Sequence, residues 1–400
     1  MNIPFTKPFW GKEEEKAVVQ SVRNRHASGD GPQSKLLIEN LKKLTGAKYV
    51  FPVTSCTHGL ELAMLALGIG PGDEVILPSF TMTSTANCVV LRGGTPVFAD
   101  IEDTYFCIDP VDIEKKITKK TRGIIIVHYA GMGCRMEEIT KIAKKHKLFV
   151  VEDAAHAIGA IYLGKSLGNW GDIGVYSFHG TKNVACGEGG AVLTNNSDLS
   201  KKLEIYRANG TNRNAFLRGK VAKYHWLDVG SSYFLSDMLA AVVNAQLAKL
   251  PVINRQRTKV ASYYTKNLSF RPLSRNPLRN TLIPGQARDD KETRKSLIAL
   301  PSIPNGSKPN WHIYALRFFS GEHADIFLQQ MRAAGVEVSR HYVPLHSAPA
   351  GRKFGKKAGK LPVTDQVYET LVRLPIYPGM KKKELSFIVT SAQKILRSFV

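Results

Sequence analysis

Between residues 49 and 151, short apolar runs alternate with amphipathic stretches, and that alternation restricts the chain more than any other feature. The runs at 49–53 (YVFPV), 74–77 (EVIL), 95–99 (TPVFA), 123–128 (GIIIVH) and 148–151 (LFVV) read as strands. Between them, a stretch that runs through 67 and those at 84–92, 111–118 and 136–147 space their apolar residues by three and four, as helices do. Strands that alternate with helices of about ten residues form a mostly parallel sheet covered on both faces, an α/β fold. Ligands of such sheets sit beyond the carboxyl ends of the strands. The polar segments 54–57, 78–83, 128–131 and 153–156 all fall there.

The flanking regions extend this plan. Helices are expected at 12–25 and 34–45, parted by a turn at 29–31, and again at 197–208 and 235–266. The last is long enough to bridge to a smaller C-terminal α/β domain, with strands near 312–319 and 336–342 and helices at 322–334 and 381–399. Four hundred residues exceed what one core usually supports, so two domains are expected, 1–245 and 246–400. Residues 271–296 are proline-rich and charged without apolar periodicity, and read as an exposed, mobile insertion. No apolar run reaches the roughly 18–20 residues of a membrane span, and the N-terminus lacks a signal-like apolar region. Five cysteines without CxxC spacing argue against a disulfide framework or a zinc site and for the cytoplasm. The net charge of +23 is spread over many helices, as in KKITKK and KIAKKHK, with no aromatic interleaving, so nucleic acid is not the expected partner.

Chemistry concentrates at 172–191, DIGVYSFHGTKNVACGEGGA, where a β-rich run breaks into a glycine-dense loop around Lys182. Upstream, LFVVEDAAHAIGA carries two acids, Glu152 and Asp153, at a strand end. A lysine paired with a carboxylate in this way suits pyridoxal 5'-phosphate (PLP): the lysine forms the Schiff base and the acid keeps the pyridine nitrogen protonated. An ordinary lysine has a pKa of about 10.4, so roughly one in 2,500 is neutral at pH 7 and a site must remove that handicap. The bland alternatives are a solvated loop lysine and an Asp153 that only caps a helix. Residues 54–59 (TSCTHG), where a strand hands over to a helix, offer hydroxyls and free N–H groups for a phosphate, and Ser177 adds a hydroxyl from a neighbouring strand. His128, His156, His179, His341 and His346 match no zinc spacing, and no metal is expected.

The motifs SCTHGLELAMLALGIGPGDEVILPSFT, VEDAAHAIGA, YSFHGTKNVACGEGGA, GTNRNAFLRG, DVGSSYFLSDMLAA and HYVPLH together resemble the DegT/StrS-type sugar-nucleotide aminotransferases. The resemblance covers nearly the whole chain apart from 271–296. It implies the PLP-dependent aspartate aminotransferase fold (fold type I). Lys182 would be the cofactor lysine and Asp153 its pyridinium partner, with Thr57, the His58 backbone and Ser177 on the phosphate. Ser232, in GSSY, stands where the family often has an asparagine that reaches the partner subunit's phosphate, which implies a homodimer with composite sites. Met82 replaces an aromatic residue expected to stack on the cofactor ring, and His156 replaces a glutamine beside its hydroxyl. The implied reaction moves an amino group from L-glutamate to the 4-keto carbon of a dTDP-6-deoxyhexose, the alternatives being 3-amino or UDP-linked chemistry, or a non-catalytic relative with a regulatory or nucleic-acid-binding role. His341, Tyr342, His346, Arg213 and Arg218 are the expected substrate contacts.

Overall fold

The computed structural model describes residues 1–269, 297–356 and 359–399; the expected insertion at 271–296 lies outside them. Its centre is a seven-stranded sheet built from β1 (Tyr49–Val53), β2 (Glu74–Pro78), β3 (Thr95–Ala99), β4 (Thr121–Val127), β5 (Phe149–Asp153), β8 (Ile173–Ser177) and β9 (Gly190–Thr194). Two-residue strands β6 (Ile161–Tyr162) and β7 (Lys165–Ser166) form a small separate sheet with β11 (Ser307–Lys308). The large sheet runs in the order β1-β9-β8-β5-β4-β2-β3. Pairing is parallel from β3 through β8, and only β9 is reversed, antiparallel to both β8 and β1. The carboxyl ends of β1, β2, β4, β5 and β8 therefore share one edge with the amino end of β9. The strand interiors are largely apolar because helices cover both faces.

The helices between them match the expected periodicity: α1 (Lys12–Arg23), α2 (Pro32–Thr45), α3 (Cys56–Ala66), α4 (Thr83–Val90), α5 (Pro110–Lys116), α6 (Met136–His146) and α7 (Ser197–Arg207). Gly59 shows why α3 lies so close to the sheet: a Cβ there would come within 2.5 Å of Val175. After the short α8 (Arg213–Leu217), the long α9 (Asp237–Leu268) packs against α1, α2 and the C-terminal helix. Beyond it β10 (Ile298–Ala299), β12 (Tyr314–Phe318) and β13 (Leu371–Leu374) make an antiparallel sheet of their own. It is flanked by α10 (Gly321–Ala333), α12 (Pro362–Thr370) and α13 (Lys382–Arg397).

The strand expected at 336–342 does not form. Its alternating Val336 and Val338 are buried as in a strand, but its hydrogen bonds go to different segments. The Ile3 N–H donates to Gly335 O, the Glu337 N–H to Ile3 O, and the Arg373 N–H to Ser339 O. The stretch is an extended tie between the N-terminal segment and β13, not a ladder. No helix among the described residues is long and apolar enough to cross a membrane.

Candidate active site

At the shared sheet edge lies a cavity of about 500 Å³. Lys182, Asp153, Thr57, Ser177, Met82, His156, His341 and Tyr342 all line it. Asp153 ends β5, and strand alternation sends it and its neighbour Glu152 to opposite faces. Glu152 is structural. It accepts from the N–H groups of Gly168, Trp170 and Gly171 and lies 2.8 Å from His128 Nε2, tying a loop under the sheet.

Asp153 is 4% exposed. Its Oδ2 accepts from the Thr85 hydroxyl at 2.8 Å and its Oδ1 from the Ala155 N–H at 3.2 Å. Burial raises its pKa, while the Thr85 and Ala155 hydrogen bonds and the charge of Lys182 pull the other way. The half-buried Cys56 thiol, 3.8 Å from Oδ1, is held well above its ordinary pKa by desolvation and by this carboxylate, so it stays protonated. Among the described residues the Lys182 amine has no hydrogen-bond or ion-pair partner. Desolvation lowers its pKa and the Arg373 charge adds to that, against the pull of Cys56 and Asp153.

Ser55 caps α3, its Oγ accepting the His58 N–H at 3.1 Å. The His58 amide is therefore already used, a correction to its expected place on a phosphate. The first-turn amides left are those of Cys56 and Thr57. The His58 ring lies off the cavity, 2.6 Å from the Thr54 hydroxyl. Gly190 lets β9 pass this helix terminus, since a Cβ there would meet the Cys56 nitrogen at 2.7 Å. Met82, the N-cap of α4, is 56% exposed at the cavity rim.

Four expected contacts lie off the cavity. His346 Nδ1 is 2.7 Å from Ser79 Oγ and its Nε2 is 3.4 Å from Asp365, so it latches its loop to the end of β2. Arg218 forms a two-pronged pair with Glu204 at 2.6 and 2.8 Å. Arg213 stacks near Phe234, and Ser232 is exposed. Conversely, the lining residues that were not anticipated include Arg373 and His312. Both stand inside apolar runs, LVRLPI and NWHIYAL, where a lone polar residue is the available signal.

These groups fit PLP at three points: a helix terminus with Thr57 and Ser177 for the phosphate, the buried Asp153 carboxylate for the ring nitrogen, and the unpartnered Lys182 for the aldehyde carbon. The family model for DegT/DnrJ/EryC1/StrS aminotransferases matches residues 9–393. The chain belongs to that family. It is a PLP-dependent aminotransferase, and its fold is that of this class of enzymes. An uncharacterized protein of Methanocaldococcus jannaschii is 34% identical over 98% of the chain and 97% of its own length. The spore coat polysaccharide biosynthesis protein SpsC of Bacillus subtilis is 31% identical over 99% and 97%. Among solved structures, DesV of S. venezuelae, crystallised with a ketimine intermediate, shares 28% identity and superposes with a TM-score of 0.85 over 99% of this chain and 98% of its own.

When bound, PLP supplies the electron sink for carbon–nitrogen bond chemistry. The protein's part follows from the geometry. Lys182 would hold the cofactor, and its desolvated amine is placed to take and return a proton at the donor carbon. Asp153 is positioned to keep the ring nitrogen protonated, and the Thr85 hydroxyl orients that carboxylate.

Proposed function

We propose that the enzyme transfers the amino group of L-glutamate to the 4-keto carbon of a dTDP-4-keto-6-deoxyhexose, giving dTDP-4-amino-4,6-dideoxygalactose for a surface polysaccharide. The observation that carries an amino-acid donor is Arg373. It is 9% exposed, lines the Lys182 cavity, and has no carboxylate partner among the described residues. Its Nη2 donates to Ser339 Oγ and Arg340 O, and its Nε has no partner. A buried guanidinium without an anion is costly, and its fork suits a carboxylate. The sugar half of the reading rests on the motifs that resemble the dTDP-4-amino-4,6-dideoxygalactose transaminases and on the polysaccharide role named for SpsC.

A homodimer with shared sites is part of the proposal. Leu217, Trp226, Leu227 and Val229 are exposed by 55–79% on the segment that also carries Arg213, Arg218 and Ser232, the apolar surface a second copy would cover. Five free cysteines favour the reducing cytoplasm. The test is incubation of the holoenzyme with L-glutamate and a panel of dTDP- and UDP-linked 3-keto and 4-keto sugars, with products identified by mass and NMR. A 4-amino-4,6-dideoxygalactose product on dTDP supports the proposal. Turnover confined to 3-keto or UDP-linked sugars, or no turnover, overturns it.

A further inference from the structure

Two histidines share the cavity wall, His156 just beyond β5 and His312 just before β12, with ring centroids 4.4 Å apart and planes 34° apart. Fixed partners assign their protons. The Ala130 N–H donates to His156 Nδ1 at 3.4 Å, so in the neutral ring the proton sits on Nε2. His312 is held the other way. The Asn183 amide donates through Nδ2 to Asn310 O at 3.0 Å, which turns its Oδ1 toward His312 Nδ1, also at 3.0 Å. His312 Nδ1 therefore carries the proton and Nε2 a lone pair.

The backbone beneath is clamped. Asn310 Nδ2 donates to His156 O and Ile158 O, and the buried Arg257 donates to Trp311 O and His312 O. Trp311 sits at φ +50°, a left-handed conformation that such anchoring sustains. Burial pushes both imidazoles well below the ordinary histidine pKa, helped at His156 by Lys182, His341 and Arg373 and at His312 by His156, Lys182, Arg257 and His341, so both tautomers persist through the neutral range.

His312 Nε2 has no hydrogen-bond partner among the described residues and is not sealed from the cavity. Of the other side chains that line the cavity, Lys182 and Arg373 can only donate, while the Thr57 and Thr81 hydroxyls can donate or accept. Of the carboxylates, Asp153 is engaged as described and Glu188 lies at the rim, 3.6 Å from His179. A sugar brings hydroxyls that must donate somewhere. We infer that His312 is a specificity residue for the acceptor, its Nε2 accepting a hydroxyl of the keto-sugar, and that Asn183 is the positioning residue that fixes this tautomer.

This rests on the proposed function, and the experiment separates the two. In holoenzyme carrying His312→Phe, the L-glutamate half-reaction, followed by the cofactor spectrum, is expected to stay within about twofold of wild type. The KM for the keto-sugar should rise by about 10- to 100-fold, the effect of one lost hydrogen bond at a buried acceptor. Asn183→Asp supplies the second readout. A carboxylate beside Nδ1 favours the doubly protonated ring and so turns Nε2 from acceptor into donor as pH falls. Its keto-sugar KM should climb between pH 8 and about 6 while that of wild type stays flat. Equal losses in both half-reactions for His312→Phe, or a pH-independent KM in Asn183→Asp, would overturn the inference. If wild type itself aminates no keto-sugar, the proposed function fails instead.

Discussion

Replacing Arg373 by leucine separates a ligand-binding charge from a structural one. In the protein the guanidinium makes two hydrogen bonds, to Ser339 and Arg340, and lies 4.5 Å over the Phe5 ring, with no anionic partner among the described residues. Burial already lowers its pKa. Leucine forfeits two bonds of about 1 kcal/mol each and a cation–π contact of about 0.5–1 kcal/mol. It also removes the desolvation cost of an unpaired ion, several kcal/mol, so the free enzyme should be destabilised by no more than about 1 kcal/mol. Binding of the donor suffers differently. Truncating one partner of a buried charge pair costs about 3–4 kcal/mol, or a loss of about 100- to 1000-fold in kcat/KM for L-glutamate. The assay is the rate of cofactor spectral conversion with L-glutamate and with a simple alkylamine, alongside urea denaturation. Arg373→Leu should lose the glutamate rate and keep that of the alkylamine. Equal losses for both amines, or a stability loss above about 3 kcal/mol, would refute the reasoning.

Three further outcomes follow from the same geometry. Thr85→Val removes the donor to Asp153 Oδ2, worth about 1.5–3 kcal/mol for a charged acceptor, and should weaken PLP retention about tenfold or more, as measured by equilibrium dialysis. Ser79→Ala leaves His346 Nδ1 without its partner and should cost about 1–3 kcal/mol in urea denaturation, with little change in the glutamate half-reaction. Glu102 is pushed up to about 7, chiefly by burial. The folded protein thus holds this proton more tightly than the unfolded chain. Its contribution is complete below the ordinary carboxyl range and is lost as pH rises through about 7. Glu102→Gln should therefore raise the melting temperature at pH 8 relative to wild type and narrow that difference at pH 5.

Much of this site was legible because strand alternation places polar segments at one sheet edge before any contact is known. Thr57 and Asp153 were read that way, Lys182 and Ser177 from the β-rich run that breaks into a glycine-dense loop, and all four line one cavity. β9 was missed because its short run GAVLT emerges from the glycine loop around Lys182, whose composition reads as turn. β13 was missed because it is four residues long and follows α12 without a break. Arg373 and His312 reach the cavity only through tertiary packing, from segments more than a hundred residues beyond Lys182. The opposite error befell His346. HYVPLH suggested three substrate contacts, yet the geometry of a loop pinned to Ser79 turns the last of them away, a partner that no spacing rule reveals.

The central claim is that Lys182 carries the cofactor. Reduction of the PLP-loaded protein with borohydride fixes the lysine–cofactor bond, and peptide mass mapping then identifies the modified residue. The structure predicts a yellow protein that bleaches on reduction, with the pyridoxyl group on Lys182 alone and no visible band in Lys182→Ala. A pyridoxyl group on another lysine, or none on a protein saturated with PLP, would contradict it.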